Sequence, residues 1–302
     1  MADAGVDGYG PAAGCVTLRF YAELNEFLPK PLRGRPCEVP YPAPRSVKDL
    51  IEAQGVPHTE VDLILVNGEP SGFEVTPSPG ALVSVYPVFE SFDLAGLARL
   101  GRPPLRIAQF VADVHLGKLV RRLRLLGFDC LASPAWDDAR LADISSRDRR
   151  VLLTRDRGLL MRAAVSRGIY LHSDQPTEQL RQVLRRLDLY RLASPMSRCL
   201  NCNGALAAVP RESVRGEVPP RTYAYAADYM RCSSCRQVYW KGTHWEKLRQ
   251  FVAQILAEGR CPPEDPRSTP PCEPSAASGA AVEEAAGADS LQPGGFAPCR
   301  NP

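Results

Sequence analysis

Two Cys-x-x-Cys pairs, Cys199-Leu-Asn-Cys202 and Cys232-Ser-Ser-Cys235, stand 29 residues apart. If all four thiols serve one site, the chain between them must close a loop onto a single point. Each pair sets two thiolates on one knuckle, and four sulfurs are the tetrahedral donor set of a closed structural Zn²⁺ site. The rival reading is two redox motifs, but no thioredoxin-like βαβ pattern surrounds either pair. The expectation is therefore one Zn²⁺ per chain, held by Cys199, Cys202, Cys232 and Cys235 and serving to fold a small subdomain. Cys15, Cys37, Cys130, Cys261, Cys272 and Cys299 are isolated in sequence and are expected to be free thiols.

Charge divides the 302 residues unevenly. The net +3 resolves into −6 over 1–100, +8 over 101–191, +5 over 192–260 and −4 over 261–302. The basic excess lies in the middle, where a polyanionic partner is expected to bind. The last segment carries nine prolines and almost no large apolar side chain, so it is expected to be a disordered tail. No stretch reaches the ~18–20 apolar residues a membrane helix needs. Acids and glycines fill the N-terminus where a signal peptide has a basic and then an apolar stretch. A cytoplasmic protein with no membrane partner is the expectation.

The first segment reads as strand, strand, helix, strand, strand. Strands are expected over Val16–Leu24, Cys37–Tyr41, Val61–Val66 and Leu82–Phe89. Ser46 is placed to cap a helix over 46–54 with Val47, Leu50 and Ile51 on one face, and Gly55 stops it. Asn67-Gly68 is a tight-turn pair. The order resembles the ubiquitin-like β-grasp domains related to the sulfur carriers ThiS and MoaD. Those carriers act through a free C-terminal Gly-Gly, whereas here the last strand runs on through Glu90–Asp93, so a structural or protein-binding role is expected instead.

From 106 onward, strands and helices alternate. Strands are expected over 106–112, 128–132, 150–154 and 168–172, and helices over 115–126, 137–146, after Arg157 through Val165, and 177–187. Such alternation predicts an open parallel sheet with helices on both faces, whose functional groups gather beyond the carboxyl ends of the strands. Asp113, Asp137, Asp138, Asp156 and Asp174 all fall at those ends. Any single one of them is most simply a helix cap. Together they form an oxygen-rich set suited to Mg²⁺ or Mn²⁺, ions that support phosphodiester hydrolysis. Lys118, Arg121, Arg122, Arg155 and Arg157 flank the acids as candidate RNA contacts, and beyond the second knuckle Trp240 and Lys241 are candidates to stack a base and pair a phosphate.

Five segments carry a longer resemblance: Phe110–Asp129 (FVADVHLGKLVRRLRLLGFD), Trp136–Ala142 (WDDARLA), Arg149–Leu160 (RRVLLTRDRGLL), Ser197–Leu206 (SRCLNCNGAL) and Tyr239–Leu248 (YWKGTHWEKL). In this order they resemble the Mut-seven C-terminal RNase family, a PIN-like nuclease fold with a zinc ribbon that in some members follows a ubiquitin-like domain. The resemblance implies a metal-dependent RNase acting on RNA through Asp113, Asp138 and Asp156. Asp137 is an alternative to its neighbour, and Asp174 is an additional acid.

The expected organisation is α/β throughout: a β-grasp domain over 15–95, a PIN-like domain over 104–191, a four-cysteine ribbon over 195–250 and a tail over 261–302. A non-catalytic RNA- or ribosome-binding module is the competing function. Against it, a pure binder gains nothing from carboxylates facing RNA. A protein-interaction adaptor built on the ubiquitin-like domain has the least motif support.

Overall fold

The structure, a computed structural model, describes residues 14–87, 108–242 and 245–259. The tail, the segment containing Glu90–Asp93, His244, and Cys261, Cys272 and Cys299 lie outside these residues. The chain divides into two compact units, one made of Met1–Gly117 with Leu131–Gln179 and the other of Lys118–Cys130 with Leu180–Pro302.

The first unit opens with β1 (Gly14–Phe20), β2 (Cys37–Tyr41), α1 (Val47–Ala53), β3 (Val61–Val66), β4 (Glu69–Ser71) and β5 (Leu82–Pro87). The strands form one sheet in the order β2-β1-β5-β3-β4. β1 and β5 pair in parallel and the other neighbours run antiparallel, the arrangement expected of a β-grasp. Alternation drives the burial: Val16, Leu18 and Phe20 of β1 and Cys37, Val39 and Tyr41 of β2 face the core with Val47, Leu50 and Ile51 of α1. Ser46 caps α1 by accepting from Asp49 N. Asn67 and Gly68 both take positive φ, 51° and 88°, and turn β3 into β4, a short strand the sequence pattern did not show.

β1 is shorter than expected. The chain leaves it at Phe20 and enters a 3-10 turn over Ala22–Phe27 that buries Leu24 and Phe27. A continued strand would have sent these two side chains out along the sheet, whereas the turn folds both into the core.

The α/β part follows. β6 (Gln109–Ala112) leads through a 3-10 turn at Val114–Leu116 into α2 (Gly117–Leu125) and β7 (Asp129–Leu131), which carries the chain from the second unit back into the first. Then come α3 (Asp138–Arg147), β8 (Val151–Thr154), α4 (Arg157–Leu160), β9 (Gly168–Tyr170) and α5 (Pro176–Arg186). β6, β8 and β9 are parallel neighbours, with Ala112 opposite Leu153 and Thr154 opposite Tyr170. All four residues of β8 are buried, as a central parallel strand requires. Val111, Leu152, Leu141, Ile144, Leu159 and Val165 form the core on one side of the sheet. The helix expected to run to Val165 stops after one turn, at Leu160. Val165 is instead buried, and its carbonyl lies 2.9 Å from His58 Nε2 of the β-grasp part.

The second unit carries β10 (Leu206–Val209), α6 (Pro220–Tyr225), β11 (Tyr229–Cys232) and β12 (Val238–Trp240), paired antiparallel in that strand order. It closes with α7 (Trp245–Glu258), whose buried Leu248, Val252 and Ile255 recur at helical spacing. No helix among the described residues is long and apolar enough to cross a membrane.

Candidate active site and metal centre

Asp113 follows β6 directly, and Asp156 stands two residues beyond the end of β8. Parallel register brings these strand ends side by side: Asp113 N donates to Leu153 O at 3.1 Å. The Thr154 hydroxyl then donates to Asp113 Oδ2 and accepts from Asp156 N, both at 3.0 Å. Asp156 Oδ1 accepts from Gly158 N at 2.7 Å and from Leu159 N at 3.4 Å, which sets the start of α4. Each of the two acids thus commits one oxygen to the scaffold.

The third acid comes from α3. Asp137 caps that helix, its Oδ1 accepting from Arg140 N at 2.8 Å. Asp138, one residue on, lies 3.5 Å from Arg162 Nη2 and lines a cavity of about 330 Å³ together with Asp113 and Asp156. Arg155 and His115 also line it, with Trp136, Val114, Leu116 and Leu141 as its apolar part. Asp174 is exposed beyond β9 and is not among the lining residues.

Among the described residues, one group of metal-ligating side chains is drawn tightly together: Cys199, Cys202, Cys232 and Cys235, with every ligand sulfur within 4.8 Å of the others. Cys199 Sγ lies 3.7 Å from Cys235 Sγ, and Cys202 Sγ 3.4 Å from Cys232 Sγ. No disulfide joins them. A tetrahedral Zn–S bond of about 2.3 Å requires sulfurs about 3.8 Å apart, so the four thiols fit that ion. The three acids share a cavity without forming so close a cluster.

The knuckles are built by local geometry. Asn203 and Arg236, each just past the second cysteine of its pair, take positive φ of 71° and 63°. Gly204 has no room for a side chain: a Cβ there would lie 2.6 Å from Ser234 Oγ and 2.8 Å from Cys232 Sγ. Burial pushes the Cys202 thiol up, but the Gly204 backbone and the neighbouring thiols outweigh it and draw it down to about 7. Burial holds Cys235 well above the ordinary thiol value.

Several groups around this site lie inside the quoted segments without being singled out by them. Arg124 of α2 donates from Nη1 to Leu200 O at 3.1 Å and Asn201 O at 2.8 Å, and from Nε to Cys130 O at 2.9 Å. Burial lowers its affinity for the proton, and the thiol groups of Cys130, Cys199 and Cys202 act the other way. The Asn203 amide accepts from Cys130 N and donates to Asp129 Oδ1. Tyr239 is buried with its hydroxyl 3.0 Å from Cys199 Sγ. In sequence Arg124 stands with Lys118, Arg121 and Arg122 on the polar remainder of α2, which carries no signal of this role.

Three of the seven expected RNA contacts point elsewhere. Arg122 is 3 % exposed, with its guanidinium over the Phe251 ring. Trp240 is 5 % exposed and packs with Val214, Tyr229 and Val238. Arg157 Nη1 donates to Phe27 O at 3.1 Å. Burial or a prior partner takes each away from a phosphate or base. Lys118, Arg121 and Arg155 are exposed, and Lys241 is exposed but paired with Asp228 at 2.6 Å.

Residues 108–252 match the family described as the Mut7-C RNAse domain, and residues 13–93 match the one described as Mut7-C ubiquitin. The chain is a Mut7-C RNase-domain protein. The Mut7-C RNase match covers all three cavity acids and all four cysteines, and the Mut7-C ubiquitin match covers the whole described β-grasp sheet. The family suggests nuclease activity and an RNA substrate. Neither the curated proteins nor the solved structures contain a match to the chain.

Proposed function

We propose that the chain is a metal-dependent ribonuclease whose reaction takes place in the cavity lined by Asp113, Asp138 and Asp156. The single observation that carries this reading is the meeting of three acids from three separate segments, with Arg155, in the lining of one cavity. Carboxylate oxygens are the donors Mg²⁺ and Mn²⁺ prefer, and Mg²⁺ needs only one or two of them beside its waters. Asp113 Oδ1 and Asp156 Oδ2 remain for such an ion once their partner oxygens are used by Thr154 and α4. When bound, a divalent cation supplies charge neutralisation at the phosphate and activation of water. Thr154 holds the Asp113 carboxylate in orientation, and Arg155 pairs with the phosphate that enters the cavity.

In the same reading the four cysteines hold one structural Zn²⁺. The site is closed by its four sulfurs and serves the fold of the second unit, on which exposed Lys118 and Arg121 add positive charge for RNA.

The test is incubation of the purified full chain with single-stranded and structured RNA, in Mn²⁺ or in EDTA, beside Asp113→Asn. Cleavage that needs the metal and is lost in the variant is the expected result. Absence of cleavage, or equal cleavage by the variant, overturns the enzyme reading, and RNA binding without cleavage supports the binding-module alternative.

A further inference from the structure

The β-grasp part touches the chain immediately after Asp156. Arg157 donates to the Phe27 carbonyl, and its guanidinium stands 5.1 Å from the Phe27 ring centre and 5.3 Å from that of Tyr170. The two rings are themselves 5.3 Å apart. The cation is therefore held by one aromatic ring from each part of the unit. The same face continues with His58 against Val165 O, with Glu60 Oε1 accepting from Tyr170 N at 2.6 Å, and with His172 at 3.1 Å from Glu26. Phe27, His58 and Glu60 are all buried here, at 3 %, 6 % and 0 % exposure.

These contacts run from Arg157 to His172, the stretch that follows Asp156 and includes α4 and β9. α4 has only four residues, too few to hold its own conformation. Its first residue is Arg157, and Asp156 is its cap. Whatever fixes Arg157 therefore fixes the turn on which the Asp156 carboxylate is carried.

We propose that the β-grasp domain is a positioning element of the nuclease site, acting through the Phe27–Arg157–Tyr170 stack. Arg157 is a positioning residue and not an RNA ligand. The catalytic consequence rests on the nuclease reading above, while the structural consequence rests on the geometry alone.

The experiment uses the full chain and three variants: Arg157→Ala, Arg157→Lys and Phe27→Leu. Amide exchange over residues 155–160 and the kcat and KM for RNA are measured for each. Arg157→Ala is expected to speed exchange about tenfold or more and to lower kcat about tenfold with KM within about twofold of wild type. Arg157→Lys is expected to fall between, because an ammonium lacks the planar face that stacks on two rings. Phe27→Leu keeps the carbonyl and loses one ring, so it too is expected to fall between. Unchanged exchange overturns the proposal. So does a rise in KM with a shallower salt dependence at constant kcat, the signature of a lost phosphate contact. If the wild type cleaves no RNA, the nuclease reading fails and exchange alone decides the brace. If Phe27→Leu melts early, the two Arg157 variants decide it.

Discussion

The hydroxyl of Thr154 donates to Asp113 Oδ2 at 3.0 Å, joining the end of β8 to the acid that follows β6. Asp113 is half-buried and lines the cavity, whereas Thr154 is fully buried. The same oxygen accepts from Asp156 N, so one side chain ties both strand-end acids to the sheet. Thr154→Val keeps the shape and removes both bonds. Its expected cost is about 1–3 kcal/mol of stability, with a fall in RNA cleavage beyond what unfolding explains. Urea denaturation and kcat at a temperature where the variant is folded measure the two effects.

Asp137 and Asp138 are adjacent but differently placed, Asp137 capping α3 and Asp138 lining the cavity. Asp137→Ala removes a helix cap and is expected to cost about 1 kcal/mol with cleavage retained. Asp138→Asn is expected to abolish metal-dependent cleavage with little change in stability. Thermal melts and RNA cleavage in Mn²⁺, run on both variants, check the split. The reverse pattern would move the catalytic role to Asp137.

Arg155 and Arg122 make a second contrasting pair. Arg155 is exposed on the cavity wall, so Arg155→Ala is expected to raise KM and to reduce the slope of RNA affinity against salt by about one. Arg122 is buried against Phe251, so Arg122→Met is expected to leave that slope unchanged. Filter binding over a series of salt concentrations measures both.

The purified chain is expected to contain about one Zn per molecule by elemental analysis. Strong chelation, or Cys199→Ser, is expected to disorder the second unit. Near-ultraviolet circular dichroism reports this, because Tyr239 and Trp240 are buried there. Retention of that signal after complete removal of zinc would show that the packing of Tyr229, Val238 and Trp240 suffices without the ion.

Much of the fold was legible because its signals are local. Cys37–Tyr41 and Val61–Val66 form strands with the expected limits, and Ser46 caps α1 as its position predicts. The misses are places where tertiary packing overrode local pattern. β1 ends at Phe20 because Leu24 and Phe27 are pulled into the core, and α4 ends at Leu160 because the chain turns to bury Val165. Most of α7 lay beyond the last motif, which ends at Leu248, although its apolar spacing was present in the sequence.

By itself the sequence determined the four-cysteine set and the placing of acids at strand ends. Both follow from spacing along the chain and from the chemistry of turns. Only the tertiary structure decided which acid of the Asp137–Asp138 pair faces the cavity, and which basic or aromatic side chains are spent on packing. Arg157 shows the reason most clearly. Nothing within the Thr154-Arg155-Asp156-Arg157 motif separates its two arginines as RNA contacts, yet Arg155 lines the cavity while Arg157 is held by Phe27, 130 residues earlier in the chain. A side chain's partner is set by segments that meet only after folding, and local pattern carries no record of that meeting.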